Sequence, residues 1–234
     1  MRGLGTIINV GAVLIGALLG TLLGGRLPLR IRETVLHGLG ALTIVMGVSM
    51  ALESKNLLIV MGAVLVGSVV GEIIGIEPFL NRTGDRLQAR FSPPDSGSTI
   101  SAGFVTASLL FCIGPMAVVG AIDDGLRGDI SLLTMKSMLD GFSALALASG
   151  LGWGVGLSAF PVLVYQGAIT AAAGLVERVM SEAMITELTA TGGVLVLAIG
   201  LRILEVKRVR VGNMLPALVF APLIVAAAAA LGWL

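Results

Sequence analysis

Apolar residues run in long, nearly unbroken stretches along this chain, and the polar residues gather between them. A helix needs about 20 apolar residues to cross about 30 Å of hydrocarbon. On that measure the pattern predicts spans near 4–24, 34–52, 57–76, 101–122, 133–152, 156–176, 187–205 and 212–233. The runs are continuous and do not alternate in polarity, so they predict helices and not the strands of a barrel. The expected fold is an all-α polytopic transmembrane bundle of about eight spans, or seven if the fifth is dropped.

Two of these runs repeat each other. Residues 11–24 read GAVLIGALLGTLLG and residues 62–75 read GAVLVGSVVGEIIG, 51 positions later, with seven of fourteen positions identical. Gly11, Gly16, Gly20 and Gly24 match Gly62, Gly67, Gly71 and Gly75. Glycine once per turn on one helix face lets another backbone come close. A fainter echo follows: Gly40 and Gly47 match Gly193 and Gly200, and Gly212, Ala217 and Ala221 repeat the five-then-four spacing. Spans two–three and seven–eight then read as copies of one hairpin. Five spans separate the copies, so they would run in opposite directions, an inverted-topology repeat of the kind many carriers share.

Composition sharpens the class. The chain has 234 residues, 56% hydrophobic and only 12% charged, with mean hydropathy +1.02. A soluble domain carries about 25% charge. Net charge of +1 argues against a nucleic-acid partner. The expected partners are the lipid bilayer, a small ion or solute, and, from the surplus of glycine faces, a second copy in a homodimer. The loops carry the topology. Arg26, Arg30 and Arg32 lie in the first loop, Arg82, Arg86 and Arg90 in the third, and Lys207, Arg208 and Arg210 in the seventh. All three are odd-numbered, so they share one side, which the positive-inside rule makes cytoplasmic. Both termini would then face outward. Along the chain, 1–76 forms a first repeat region and 77–100 a cytoplasmic linker rich in turn residues (Pro93, Pro94, Asp95, Ser96, Gly97, Ser98). Within it, 79–90 has the pattern of a short amphipathic surface helix. Residues 101–186 form a central region, and 187–234 the inverted copy.

Candidate chemistry lies where polar residues interrupt apolar runs. Residues 141–176 carry no charge but are only 36 long, short of the roughly 40 that two spans need. The fifth helix must therefore take in Lys136 and Asp140, or 137–151 must dip in and return. Either way both charges reach at least the hydrocarbon edge, at roughly 2.5–3.5 kcal/mol each. Four positions apart, they pair on one helix face. A functional site and a structural ion pair are the two readings. Gly114-Pro115 breaks the fourth span and frees carbonyls for a solute or cation; Pro161 and Pro216 interrupt spans six and eight in the same way. Asp123 and Asp124 follow the fourth span, as acids at a cation entrance or in a solvated loop. Asn9, Gln166, Asn213 and Glu72 are further polar groups within apolar runs, and Glu72 stands where its repeat twin is Thr21. No P-loop, HExxH, CxxC, GxSxG or dinucleotide glycine motif is present, so no cofactor and no enzymatic activity are expected. One histidine and one cysteine argue against a soft-metal site; a hard cation held by carboxylate and carbonyl oxygens fits better.

GTIINVGAVLIGALLG near the start, FCIGPMAVVGAIDDGLRGD in the middle and KSMLDGFSALALA after it resemble the YqgA/YdfK family of uncharacterised bacterial inner-membrane proteins. The resemblance covers nearly the whole chain and implies a multi-pass protein of the bacterial inner membrane, with no substrate attached. MLDGFSALALASG at 138–150 is also similar to the MDAFAVS-type segment of manganese and amino-acid exporters, although glycine follows Asp140 and a second copy is lacking. That likeness implies cation export. The expected function is a secondary transporter of a small ion or solute with a mid-membrane site on broken helices. A channel, or a scaffold or sensor without transport, are the alternatives.

Overall fold

The computed structural model describes residues 2–91, 100–207 and 209–233. Pro93 to Ser98 of the linker, Arg208, and the side chains of Leu87, Gln88, Arg90, Phe91 and Pro115 lie outside the described residues. Among those described there is no strand. The helices are α1 (Leu4–Gly24), α2 (Leu29–Ala51), α3 (Leu57–Ile74), α4 (Ile76–Phe91), α5 (Ile100–Cys112), α6 (Pro115–Arg127), α7 (Ser131–Leu151), a 3₁₀ segment (Trp153–Ser158), α8 (Ala159–Ala171), α9 (Ala173–Val179), α10 (Glu182–Ile203), α11 (Val211–Met214) and α12 (Ala217–Ala230).

Local chemistry sets many of the boundaries. Asn56 caps α3 by accepting from Leu58 N–H, and Ser181 caps α10 through Met184 N–H. Gly75, at φ 76°, ends α3 in the left-handed region where glycine carries no Cβ penalty. The expected surface helix over 79–90 is α4. Pro216 does divide the last span, between α11 and α12. Pro161 does not divide span six: it lies in the first turn of α8, where no intrahelical N–H is required. The irregularity there is the 3₁₀ segment before it.

Six stretches are long and apolar enough to cross a membrane: α1, α2, α3, Trp153–Ala171, α10 and Val211–Ala230. The α5–α6 pair, bent by 61°, is a seventh when taken as one broken span. Helix α7 has the same 21 residues as α1 but is less apolar, since it carries Lys136 and Asp140. It is one continuous helix, so the re-entrant hairpin considered for 137–151 does not form. Helix α7, the fifth span expected from sequence, is not among those six or seven.

The contacts divide the chain into two units. The first unit takes residues 1–39, 80–112 and 116–176. In it α1 and α7 lie side by side and parallel over their whole length. A Cβ on Gly16, Gly20 or Gly24 would fall on the carbonyl oxygen of Gly141, Leu145 or Ser149 respectively. An apolar helix that spans therefore has α7 beside it throughout. The same unit gives the path of α5–α6. Ile100 and Gly103 pack near Gly154, Val155 and Leu151, at the end where α1 and α7 finish. Asp124, late in α6, bonds the first N–H groups of α1. The pair thus runs from one end of the unit to the other.

The second unit takes residues 40–79, 113–115 and 177–234. Here both packings are antiparallel. Gly47 meets Gly193 O, and Gly200 meets Gly40 O, between α2 and α10. On α3, Gly67 meets the Ala217 backbone and Gly71 meets Asn213 O. Gly67 and Gly71, 51 positions after Gly16 and Gly20, likewise accept a foreign backbone.

A buried polar cluster as the candidate functional site

Asp140 is the tenth residue of α7, one short of its midpoint and roughly 14 Å along the axis from Ser131 at 1.5 Å per residue. It is thus near the middle of its helix and not at an end. Lys136, one turn earlier, pairs with Asp140 Oδ2. The side chains are 7% and 11% exposed. From α1, Asn9 Nδ2 donates to Asp140 Oδ2 at 3.0 Å and to Gln166 Oε1 of α8 at 3.2 Å. Asn9 and Gln166 are fully buried. Three helices thus bring four of the expected site residues, Asn9, Lys136, Asp140 and Gln166, into one cluster halfway along α7.

The cluster is not saturated. Asn9 Oδ1 and Gln166 Nε2 are buried without a hydrogen-bond partner, as are Thr6 Oγ1 and Thr170 Oγ1 one turn away. Buried polar groups in folded proteins are nearly always satisfied, and here the protein itself supplies no partner for these four. Thr6 and Thr170 were not legible as site residues, because threonine is ordinary in apolar helices. Their signal is positional: Thr6 lies three before Asn9 and Thr170 four after Gln166, on the same faces.

The other expected residues have different surroundings. Asp124 is fully buried, with its oxygens accepting from Gly3 N (2.9 Å) and Gly5 N (3.0 Å). It caps the N-terminus of α1, where the helix dipole favours an anion, and is not an entrance acid. Asp123 pairs with Arg127 at 2.8 Å on the surface of α6. Asp129, in the loop before α7, is held below the usual carboxylate range by hydrogen bonds from Ser131. Gly114 and Pro115 lie at the break between α5 and α6.

Glu72 and Asn213 belong to the second unit and to a separate network. Glu72 is 54% exposed at its side chain, two residues from the end of α3, and pairs with Arg210. It is thus an end-of-helix carboxylate, not a mid-span one. Asn213 Nδ2 donates to Glu72 at 2.6 Å, and its Oδ1 accepts from Glu77 N at 2.6 Å. Glu77, read from sequence as the start of a linker, is buried. It accepts from Arg202 at 2.8 Å and from Gly212 N, at the start of α11, at 2.6 Å. Glu187 is also buried and holds Lys55 N, Asn56 N and Ser54 Oγ at the start of α3. Asp124, Glu77 and Glu187 therefore each satisfy the open N–H groups of another helix. Among the described residues, no group of three or more His, Cys, Asp or Glu side chains is arranged to hold a metal ion.

Comparison with known proteins adds family but not activity. The family described as "Protein of unknown function (DUF554)" matches residues 4–226. The chain is 36% identical over 222 residues to the uncharacterized protein YqgA of Escherichia coli strain K12, covering 93% of this chain and 94% of that protein. It is 28% identical over 225 residues to the uncharacterized membrane protein YdfK of Bacillus subtilis strain 168, covering 94% and 95%. No solved structure matches. The matches run almost end to end and the helices are long and apolar: the chain is a membrane protein belonging to the DUF554 family.

Proposed function

We propose that the chain is a secondary transporter of a small ion or solute, with its site at the Lys136–Asp140 pair. The observation that carries this reading is the ion pair at the middle of a span-length helix, in contact with amide groups that have unused bonding capacity. Intramembrane charge is costly and is retained mainly on ion and solute pathways. Asn9 Oδ1 supplies a free acceptor and Gln166 Nε2 a free donor beside the pair, enough to orient a small polar ligand. Release of Lys136 from Asp140 would expose one positive and one negative group to it in turn.

The broken α5–α6 span supports a carrier, since interrupted helices recur at transport sites. So does the packing of the second unit. If Gly40 corresponds to Gly193 and Gly47 to Gly200, a two-fold rotation exchanges the Gly40–Gly200 contact with the Gly47–Gly193 contact. That is the relation expected of inverted hairpins, and alternating access is commonly built on it. The sequence carries no ATP motif, so uphill movement would draw on an ion gradient. The inner membrane of a bacterium is the expected site of action, with the arginine-rich loops in the cytoplasm.

Purified protein in liposomes tests the proposal by a flux screen with H⁺, Na⁺, Mn²⁺ and small metabolites. Saturating, gradient-coupled flux of one of them is the expected result. Flux without saturation would make the protein a channel, and no flux of any would refute transport.

A further inference from the structure

Between α1 and α8 the first unit holds a cavity of about 580 Å³, lined in part by Arg2, Thr6, Leu163, Gly167, Thr170 and Gly174. It has room for roughly twenty waters or one small solute. Its place is specific. It begins at the N-terminal end of α1, where exposed Arg2 leans on Leu126 O at 3.4 Å. Thr6 and Thr170 line it, and Asn9 and Gln166, which do not, lie one helical turn further along α1 and α8. Six buried side-chain atoms among the described residues have no partner, and four of them (Thr6 Oγ1, Thr170 Oγ1, Asn9 Oδ1 and Gln166 Nε2) lie along this seam. Thr6 is 2% exposed and both amides are fully buried, so bulk solvent does not satisfy them. Lipid tails cannot. Each orphan left dry would cost about 1–3 kcal/mol.

Further along α1, Ala17 packs on Gly156 of the 3₁₀ segment that leads into α8. The mouth that the structure shows is at the N-terminal end of α1.

We infer that the α1–α8 seam is a hydrated vestibule through which the Lys136–Asp140 pair exchanges with the side of the membrane that holds the N-terminus of α1. Its lining offers the Thr6 and Thr170 hydroxyls, with the orphaned Asn9 oxygen and Gln166 nitrogen one turn beyond, and Arg2, exposed at the mouth, is the one charged side chain that lines it. That set suits water, and small hydrogen-bonding molecules of no net charge, better than a bare ion. The inference builds on the proposed site, but its test needs no transport.

In a Cys112→Ser background, Thr6→Cys and Thr170→Cys are treated with a membrane-impermeant sulfonated maleimide, in sealed vesicles of each orientation. Thiols react as thiolates, which form only in water, so both should label at least about tenfold faster than Leu18→Cys, a lipid-facing control that is 61% exposed on α1. Labelling should come from the face of α1's N-terminus. Hydroxyl-radical footprinting of the unsubstituted chain in nanodiscs gives a second measurement that does not depend on the variants folding: Leu163 should oxidise more than Leu18. Reactivity no greater than at Leu18→Cys, labelling equal from both faces, or no excess oxidation at Leu163 would overturn the vestibule. Loss of flux with labelling intact would instead refute only the transport reading.

Discussion

At the residue scale, Lys136 and Asp140 are legible because two charges stand in a chain that can hardly accommodate them. Asn9 and Gln166 are legible as polar letters in apolar runs. Their convergence is not, because the sequence does not say which helix faces which. The same blindness hid Glu77 and Glu187, which stand at the edges of expected spans. Each instead meets the open N–H groups of a helix distant in sequence. The pair makes a separable prediction. Lys136→Met or Asp140→Leu alone should destabilise the protein by roughly 3–5 kcal/mol, since each strands a buried charge. The double variant should recover most of that loss, because both charges go. Thermal unfolding in detergent reads all three. A double variant as unstable as the worse single would mean that the pair is needed for the fold itself. Asp124→Ala should cost about 1–2 kcal/mol through loss of the α1 cap, visible as a lower Tm.

At the element scale, the glycine ladders were plain in sequence, but not which of their rungs bear contact. Gly11 and Gly20 share the ladder on α1, yet a Cβ at Gly11 meets nothing within 4 Å, whereas one at Gly20 strikes the Leu145 backbone. The spacing fixes a face; only the partner's path decides where that face is used. Gly20→Ala should therefore destabilise by about 1–3 kcal/mol, and Gly67→Ala likewise against Ala217, while Gly11→Ala should be neutral or slightly stabilising. Denaturation of the three variants side by side checks this, and equal effects at Gly11 and Gly20 would contradict the packing. Continuity of α7 was also beyond the sequence. Its 36 uncharged neighbours allowed a hairpin or a span, and the choice rests on the long parallel seam with α1.

At the scale of the whole molecule, the loop arginines and the packing of the first unit lead to one topology. Helices α1 and α7 run the same way, and α5–α6 carries the chain between the two ends of that unit. With α7 counted as a span beside the seven long apolar stretches, the proposed topology has eight crossings and both termini on one side. A reporter fused after Leu234 should act outside the cytoplasmic membrane, and one inserted between residues 92 and 99 inside it. A cytoplasmic C-terminus would break the count. The central claim is that Asp140 is a working group of a transport site and not a structural tie. Its most direct test is flux through reconstituted Asp140→Asn beside wild type and Asp124→Asn, with each first shown to be folded and inserted. The expected result is flux at background for Asp140→Asn and retained for Asp124→Asn. Wild-type flux from folded Asp140→Asn would contradict it.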